Sequence, residues 1–290
     1  MNASVPVGIA GLGNLGMPMA RALLDAGWSV TAYDVDSRRV AEIARHGAAP
    51  ADEPGDLAGS GILALVVPDD DAAGDLLERH DLLGRLPRPS TVVVHSTLLP
   101  ATAQRLAERA AQIGVDYVDA PVSGGDERAR AGTLTLMAGA EPAALERIRD
   151  YVGTIASTTV HVGPPGAGAA VKLANQLMMF TALAGVHEAL DLAAAYGVSD
   201  SDVLAVTRTS TGDSWAAREW GFFDRIAAAY DAAGIPVRNR PWSKDLWEIV
   251  AAGRAADLTL PVAGLLSQHL AGTVERHAAT VRGPVRRTTL

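Results

Sequence analysis

Three polar side chains interrupt the most apolar stretch of this 290-residue chain. Lys172, Asn175 and Gln176 stand at i, i+3 and i+4 within residues 167–184, where Thr181 is the only other polar side chain. That spacing puts the three on one face of a helix. A lysine on a dry face loses solvation of its ammonium, so its pKa falls toward the range where it can accept and return a proton near neutrality. The same spacing is met equally by a lysine that snorkels to the surface or pairs with Glu188 or Asp191. The helix pattern alone leaves the two readings level.

A second constellation carries cofactor chemistry. GIAGLGNLG places Gly11, Gly13 and Gly16 directly after an apolar strand, with Leu12, Asn14 and Leu15 between them. In a G-x-G-x-x-G loop the glycines give a tight turn, close backbone approach to a pyrophosphate, and close helix packing. The next strand ends in Tyr33-Asp34, about 20 residues on, where the fingerprint expects its acid. Asp34 can accept the ribose hydroxyls and would repel a 2′-phosphate. Arg38 and Arg39 lie within reach of such a phosphate, or else form a solvated first turn of the next helix. NAD is the expected cofactor, with NADP open.

Hydride transfer from an alcohol also needs a group to take the hydroxyl proton. A zinc solution is disfavoured: there is no cysteine and no histidine pair at ligand spacing among the seven. His95 ends a strand near the expected nicotinamide side and is a candidate, although such a histidine is more often a satisfied core or loop residue. Lys172 is the alternative.

These residues need elements to hold them. Residues 5–10, 29–33, 62–67 and 91–95 are short, rich in Val and Ile, and apolar on both faces, as covered parallel strands are. Residues 117–119, 134–137 and 159–162 read as further strands. Helical spacing over 17–26, 38–46 and 70–83 alternates with them, so the expected fold class is an α/β Rossmann-type doubly wound sheet. After GPPG (163–166) the pattern turns all-helical over 167–196, 200–207, 215–233, 242–255 and 261–277. The expected domains are therefore 1–163, binding dinucleotide, and 164–290, helical and serving substrate and oligomerisation. Residues 278–290 read as a frayed tail.

Bulk properties narrow the classes. A net charge of -8 without a strongly basic segment argues against nucleic acid. Lys172, Asn175 and Gln176 would be costly in lipid, which argues against a membrane span. The absence of cysteine and of a visible signal peptide fits a reducing, cytoplasmic setting.

Taken together, five segments resemble the β-hydroxyacid dehydrogenases, the family of 3-hydroxyisobutyrate dehydrogenase and tartronate semialdehyde reductase. They are GIAGLGNLGMPMARALLDAG, HSTLLP (95–100), DAPVSGG (119–125), GPPGAGAAVKLAN, and SKDL (243–246), in order along the chain. The resemblance implies that Lys172 is the general base in oxidation and general acid in reduction, with Asn175 holding substrate and lysine in place. It implies that Ser123, Gly124 and Gly125 bind a substrate carboxylate. It also puts Ser96 and Thr97 near the nicotinamide, Val67 and Pro68 near the ribose, and Lys244 at the cofactor's edge. The implied activity needs no metal. The partners implied are a small carboxylate-bearing substrate and further copies of the chain, as a homodimer or homotetramer. An imine reductase-like enzyme, or an idle dinucleotide-binding scaffold, are the competing readings.

The chain departs from the family before Lys-Asp-Leu, where IPVRNRPW (235–242) replaces a Phe-containing stretch. Trp215, Trp220, Trp242 and Trp247 lie in this region. They are either aromatic core or a bulkier substrate wall, with Trp215 as candidate contact and Arg238 or Arg240 available for an extra anion.

Overall fold

The structure is a computed structural model that describes residues 5–282. It divides into two compact units, one ending at Lys172 and the other starting at Leu173. The sheet of the first unit is built from β1 (Val7–Ala10), β2 (Val30–Tyr33), β3 (Ala49–Pro50), β4 (Ile62–Leu65), β5 (Thr91–Val94), β6 (Asp116–Asp119), β7 (Val122–Ser123), β8 (Leu134–Ala140) and β9 (Ala156–Gly163). Their order is β3-β2-β1-β4-β5-β6-β8-β7, with β9 also on β8. Pairing from β3 through β6 is parallel. Strand β8 runs antiparallel to β6 and β7 and parallel to β9.

Successive residues of the central strands feed two separate cores, as a period of two requires. Ile62, Ala64 and Val93 pack on one face with Ile9, Leu23 and Ile43. Leu63, Leu65, Val92 and Val94 pack on the other with Leu77, Leu106 and Tyr117. The chain leaves β1 toward β2 and β3, then returns to β4 on the other flank. That reversal is a topological switch point at the carboxyl ends of β1 and β4, the place where doubly wound sheets bind ligands.

The second unit is all-helical among its described residues. Phe180, Leu183, Phe223, Trp242, Leu246, Ile249, Leu266 and Leu270 form its core.

Some elements differ from the sequence expectation. The helix expected over 215–233 is broken at Gly221, whose φ of 89° separates Trp215–Arg218 from Phe222–Ala232. The helix expected over 70–83 is irregular and is interrupted at Asp81 (φ 52°). The last helix, Pro261–Arg282, continues through residues 278–282, which were expected to fray; the rest of that stretch lies outside the described residues.

The first compact unit runs on past residue 163 into the helix Ala167–Ala194. Hydrogen bonding supplies the reason. Asp119, at the end of β6, accepts from the backbone N–H of Gly166 and of Ala169, both at 2.8 Å. A Cβ on Gly168 would lie 2.5 Å from the carbonyl oxygen of Met137, so only glycine lets the first turn sit this close to the sheet. The start of this helix therefore belongs to the first unit.

That helix is long and apolar enough, by length and composition, to cross a membrane. In the single chain Met178 is 67% exposed and Leu192 65%.

Candidate active site

The glycine loop turns tightly out of β1. Gly11 has φ 95°, and a Cβ there would strike the Val66 carbonyl at 2.2 Å. A Cβ on Gly16 would strike the Gly11 carbonyl at 1.9 Å. Nothing lies within 4 Å of a Cβ built on Gly13. Two glycines are thus closed by the protein's own backbone, and the middle one faces open space. This is the cradle a pyrophosphate needs, and the residues present fit a dinucleotide.

Asp34 follows β2 and is buried, 8% exposed. One of its oxygens accepts from Leu12 N–H at 2.6 Å and the other from Asp36 N–H at 2.8 Å. The acid thereby fixes the loop that holds the glycines. On the other side of the switch point, Ser96 Oγ accepts from Val67 N–H at 2.8 Å, joining the loops after β4 and β5. Pro68 and Thr97 lie beside these two residues on the same loops.

His95 is withdrawn from proton chemistry. Its Nδ1 lies 2.8 Å from the Ala120 carbonyl, which can only accept, so Nδ1 carries the hydrogen. Nε2 then accepts from the Tyr151 hydroxyl at 2.8 Å. Burial drives its pKa down to about 4. The neutral ring is a core bolt between β5, β6 and the helix Arg149–Ile155.

This bolt has a pH signature. An unfolded histidine binds its proton near pH 6.5, whereas the folded one resists until about 4. The unfolded state therefore holds more protons in that window, and stability falls as pH drops through it. The expected loss from His95 is up to ~3 kcal/mol between pH 7 and pH 4. Denaturant unfolding at a series of pH values checks it, and His95→Gln should flatten the slope.

Lys172 is buried, 9% exposed, and its Nζ donates to the Val122 carbonyl at 2.9 Å. Val122 immediately precedes Ser123-Gly124-Gly125, so two sequence motifs fifty residues apart meet at one point. Ser123 ends β7, and Gly124 and Gly125 follow at positive φ, which turns the backbone sharply. Asp119 is a residue the sequence reading quoted without a role: its two bonds to the helix start fix where Lys172 stands.

In the second unit Asn175 is half-buried, with a long 3.5 Å bond from Nδ2 to Gln176 Oε1. Gln176 is buried and donates to Asp245 Oδ2 at 2.6 Å, which ties the Lys-Asp-Leu segment to this helix. Lys244 reaches Glu248 at 2.7 Å and Asp245 at 3.4 Å. Burial opposes its charge, but Asp245 and Glu248 outweigh that and raise its pKa.

The tryptophans separate. Trp242 is fully buried core, Trp220 packs on His187 and His277, and Trp215 is 46% exposed beside Phe222 and Phe223. Arg240 is not available for an anion. It is 4% exposed, paired with Asp231 at 2.5 Å and Glu275 at 2.9 Å, and Glu275 also accepts from Trp242 Nε1. Arg238 is exposed. Among the described residues no group of three or more His, Asp or Glu is placed to hold a metal ion.

Comparison with known proteins identifies the family. The family profile of the NAD-binding domain of 6-phosphogluconate dehydrogenase matches residues 6–163. That of the NAD-binding region of NADP-dependent 3-hydroxyisobutyrate dehydrogenase matches residues 166–281. The chain is 32% identical to 2-(hydroxymethyl)glutarate dehydrogenase of Eubacterium barkeri, over 94% of this chain and 90% of that one. It is also 32% identical to 3-hydroxyisobutyrate dehydrogenase of Pseudomonas aeruginosa, over 91% and 90%. The 3-hydroxyisobutyrate dehydrogenase of Mycobacterium tuberculosis, solved with L-serine, superposes with a TM-score of 0.80 at 26% identity, over 94% and 95%. The chain belongs to the β-hydroxyacid dehydrogenase family, NAD-binding oxidoreductases of the 3-hydroxyisobutyrate dehydrogenase type. Its cofactor is a nicotinamide dinucleotide.

Proposed function

We propose that the chain interconverts a β-hydroxyacid and its semialdehyde without a metal, with Lys172 as the proton carrier. The observation that carries this reading is the 2.9 Å bond from Lys172 Nζ to Val122, beside the Ser123-Gly124-Gly125 turn. A buried amine next to the backbone donors of a half-buried glycine turn suits a substrate that has a hydroxyl close to a carboxylate.

In oxidation, the Ser123 hydroxyl and the N–H groups of Gly124 and Gly125 hold the substrate carboxylate. Neutral Lys172 Nζ takes the hydroxyl proton as the carbinol C–H pair leaves as hydride, and the C–O bond becomes a carbonyl. In reduction the ammonium returns that proton to the carbonyl oxygen. The bound nicotinamide supplies the hydride acceptor or donor. Asn175 orients substrate and lysine, Ser96 and Thr97 flank the nicotinamide, Val67 and Pro68 the ribose, and Lys244 the cofactor's edge. Trp215 is the tryptophan we assign to the substrate wall.

A panel of short β-hydroxyacids and their semialdehydes, assayed with NAD and NADP in the presence of EDTA, tests this. At least one acid should turn over, and its methyl ester should be poorer by about tenfold or more, since the ester lacks the anion the turn holds. Reduction of cyclic imines with no activity on any acid would make the chain an imine reductase. Cofactor binding without any turnover would make it an idle scaffold.

We also propose a homo-oligomer built through the second unit, with a second copy of this chain as the occupant of its bare apolar surface. The helix Asp200–Thr207 buries none of its residues, and Met178, Leu192, Tyr196 and Val206 are each more than 60% exposed. Such side chains gain from burial in a partner. Light scattering at micromolar concentration should give at least a dimer, and a monomer would contradict the assignment.

A further inference from the structure

Two carboxylates and two guanidiniums gather at the end of β2. Arg38 grips Asp36 with both ends of its fork, Nε to Oδ1 at 2.9 Å and Nη2 to Oδ2 at 2.8 Å. Arg39 stands between the acids, 3.6 Å from Asp34 and 3.9 Å from Asp36. Asp34 occupies the position from which an acid takes the adenosine ribose, and its oxygens already accept two backbone N–H groups. The four formal charges cancel. Without Asp36 the same corner would carry one fixed carboxylate and two released guanidiniums, a net positive charge in the geometry that accepts a phosphate.

We propose that Asp36 is the residue that sets the choice of NAD over NADP, by engaging Arg38 and cancelling the positive charge that Arg38 and Arg39 would otherwise offer a 2′-phosphate. Asp34 orders the glycine loop and meets the ribose; Asp36 cancels the arginines. The hydrogen bonds from Arg38 hold the Asp36 carboxyl at about 2, so it stays ionised throughout the neutral range. The pair is solvent-exposed, and such pairs add little to stability. Removing it therefore alters the charge of this corner without endangering the fold. The proposal rests on the ribose lying beside Asp34.

Asp36→Ser is the informative variant. Asp36 also caps the helix Ser37–Ala44 by accepting from Arg38 N–H, and serine preserves such a cap while deleting the charge. Dissociation constants for NADH and NADPH, read from nicotinamide fluorescence, should shift their ratio toward NADPH by at least about tenfold, a difference of about 1.4 kcal/mol. The shift should shrink at high salt, because exposed charges are screened. It should vanish in Asp36→Ser combined with Arg38→Ala and Arg39→Ala. A ratio unchanged within threefold, or a gain that survives loss of both arginines, would overturn the proposal. Asp36→Asn supplies a second, nearly isosteric reading of the same ratio. If the unsubstituted protein bound neither dinucleotide, the cofactor site itself would be refuted, an outcome distinct from failure of Asp36 to set the ratio.

Discussion

Alanine at position 172 should lower turnover by at least about a thousandfold while leaving the NADH dissociation constant within about threefold of the unsubstituted value. The magnitude combines general acid–base catalysis with the loss of a positioned group. Sparing of the cofactor follows from the fold. The dinucleotide cradle is made by Gly11, Gly13, Gly16 and Asp34, at the ends of β1 and β2, whereas Lys172 bonds to Val122 on β7. Stability should change little by comparison, because alanine is a good helix former in Ala167–Ala194. It takes the lysine donor away from the Val122 carbonyl. Stopped-flow absorbance at 340 nm together with a fluorescence titration separates the two quantities.

The second large effect contrasts two glycines of one loop. Gly16→Ala should destabilise the protein by about 2–4 kcal/mol, because its Cβ would lie 1.9 Å from a backbone oxygen that no side-chain rotation can relieve. Gly13→Ala should cost less than ~1 kcal/mol of stability, since its Cβ would meet nothing within 4 Å. Yet Gly13→Ala should weaken NADH binding by at least about tenfold, because the methyl group would stand where a pyrophosphate approaches the backbone. Urea unfolding and cofactor titration of the two variants should thus rank them in opposite ways for stability and for specific binding. Equal destabilisation by both would mean that the loop is a structural turn and no cradle.

The sequence made the sheet legible because its central strands are buried on both faces and read as unbroken apolar runs. Strands β3 and β7 escaped it because two residues carry no period. The break at Gly221 escaped it because the residues on both sides keep helical spacing, and a lone glycine does not announce a positive φ. At the site, the glycine loop and Asp34 were readable since their function depends on local spacing. The contact that links Lys172 with Val122 joins residues fifty apart, and that from Gln176 to Asp245 joins residues sixty-nine apart. No local pattern encodes such pairs; only the topology brings them together. Arg240 shows the converse. An arginine in a loop with no visible acid beside it reads as available for an anion, whereas Asp231 and Glu275 meet it from other helices.

The most direct test of Lys172 as proton carrier is the turnover of Lys172→Ala measured with increasing concentrations of a small primary amine. The expected result is a loss of at least about a thousandfold, partly and saturably restored by the amine and not by an equal concentration of potassium chloride. Turnover within tenfold of the unsubstituted enzyme, with no amine present, would contradict the assignment of Lys172.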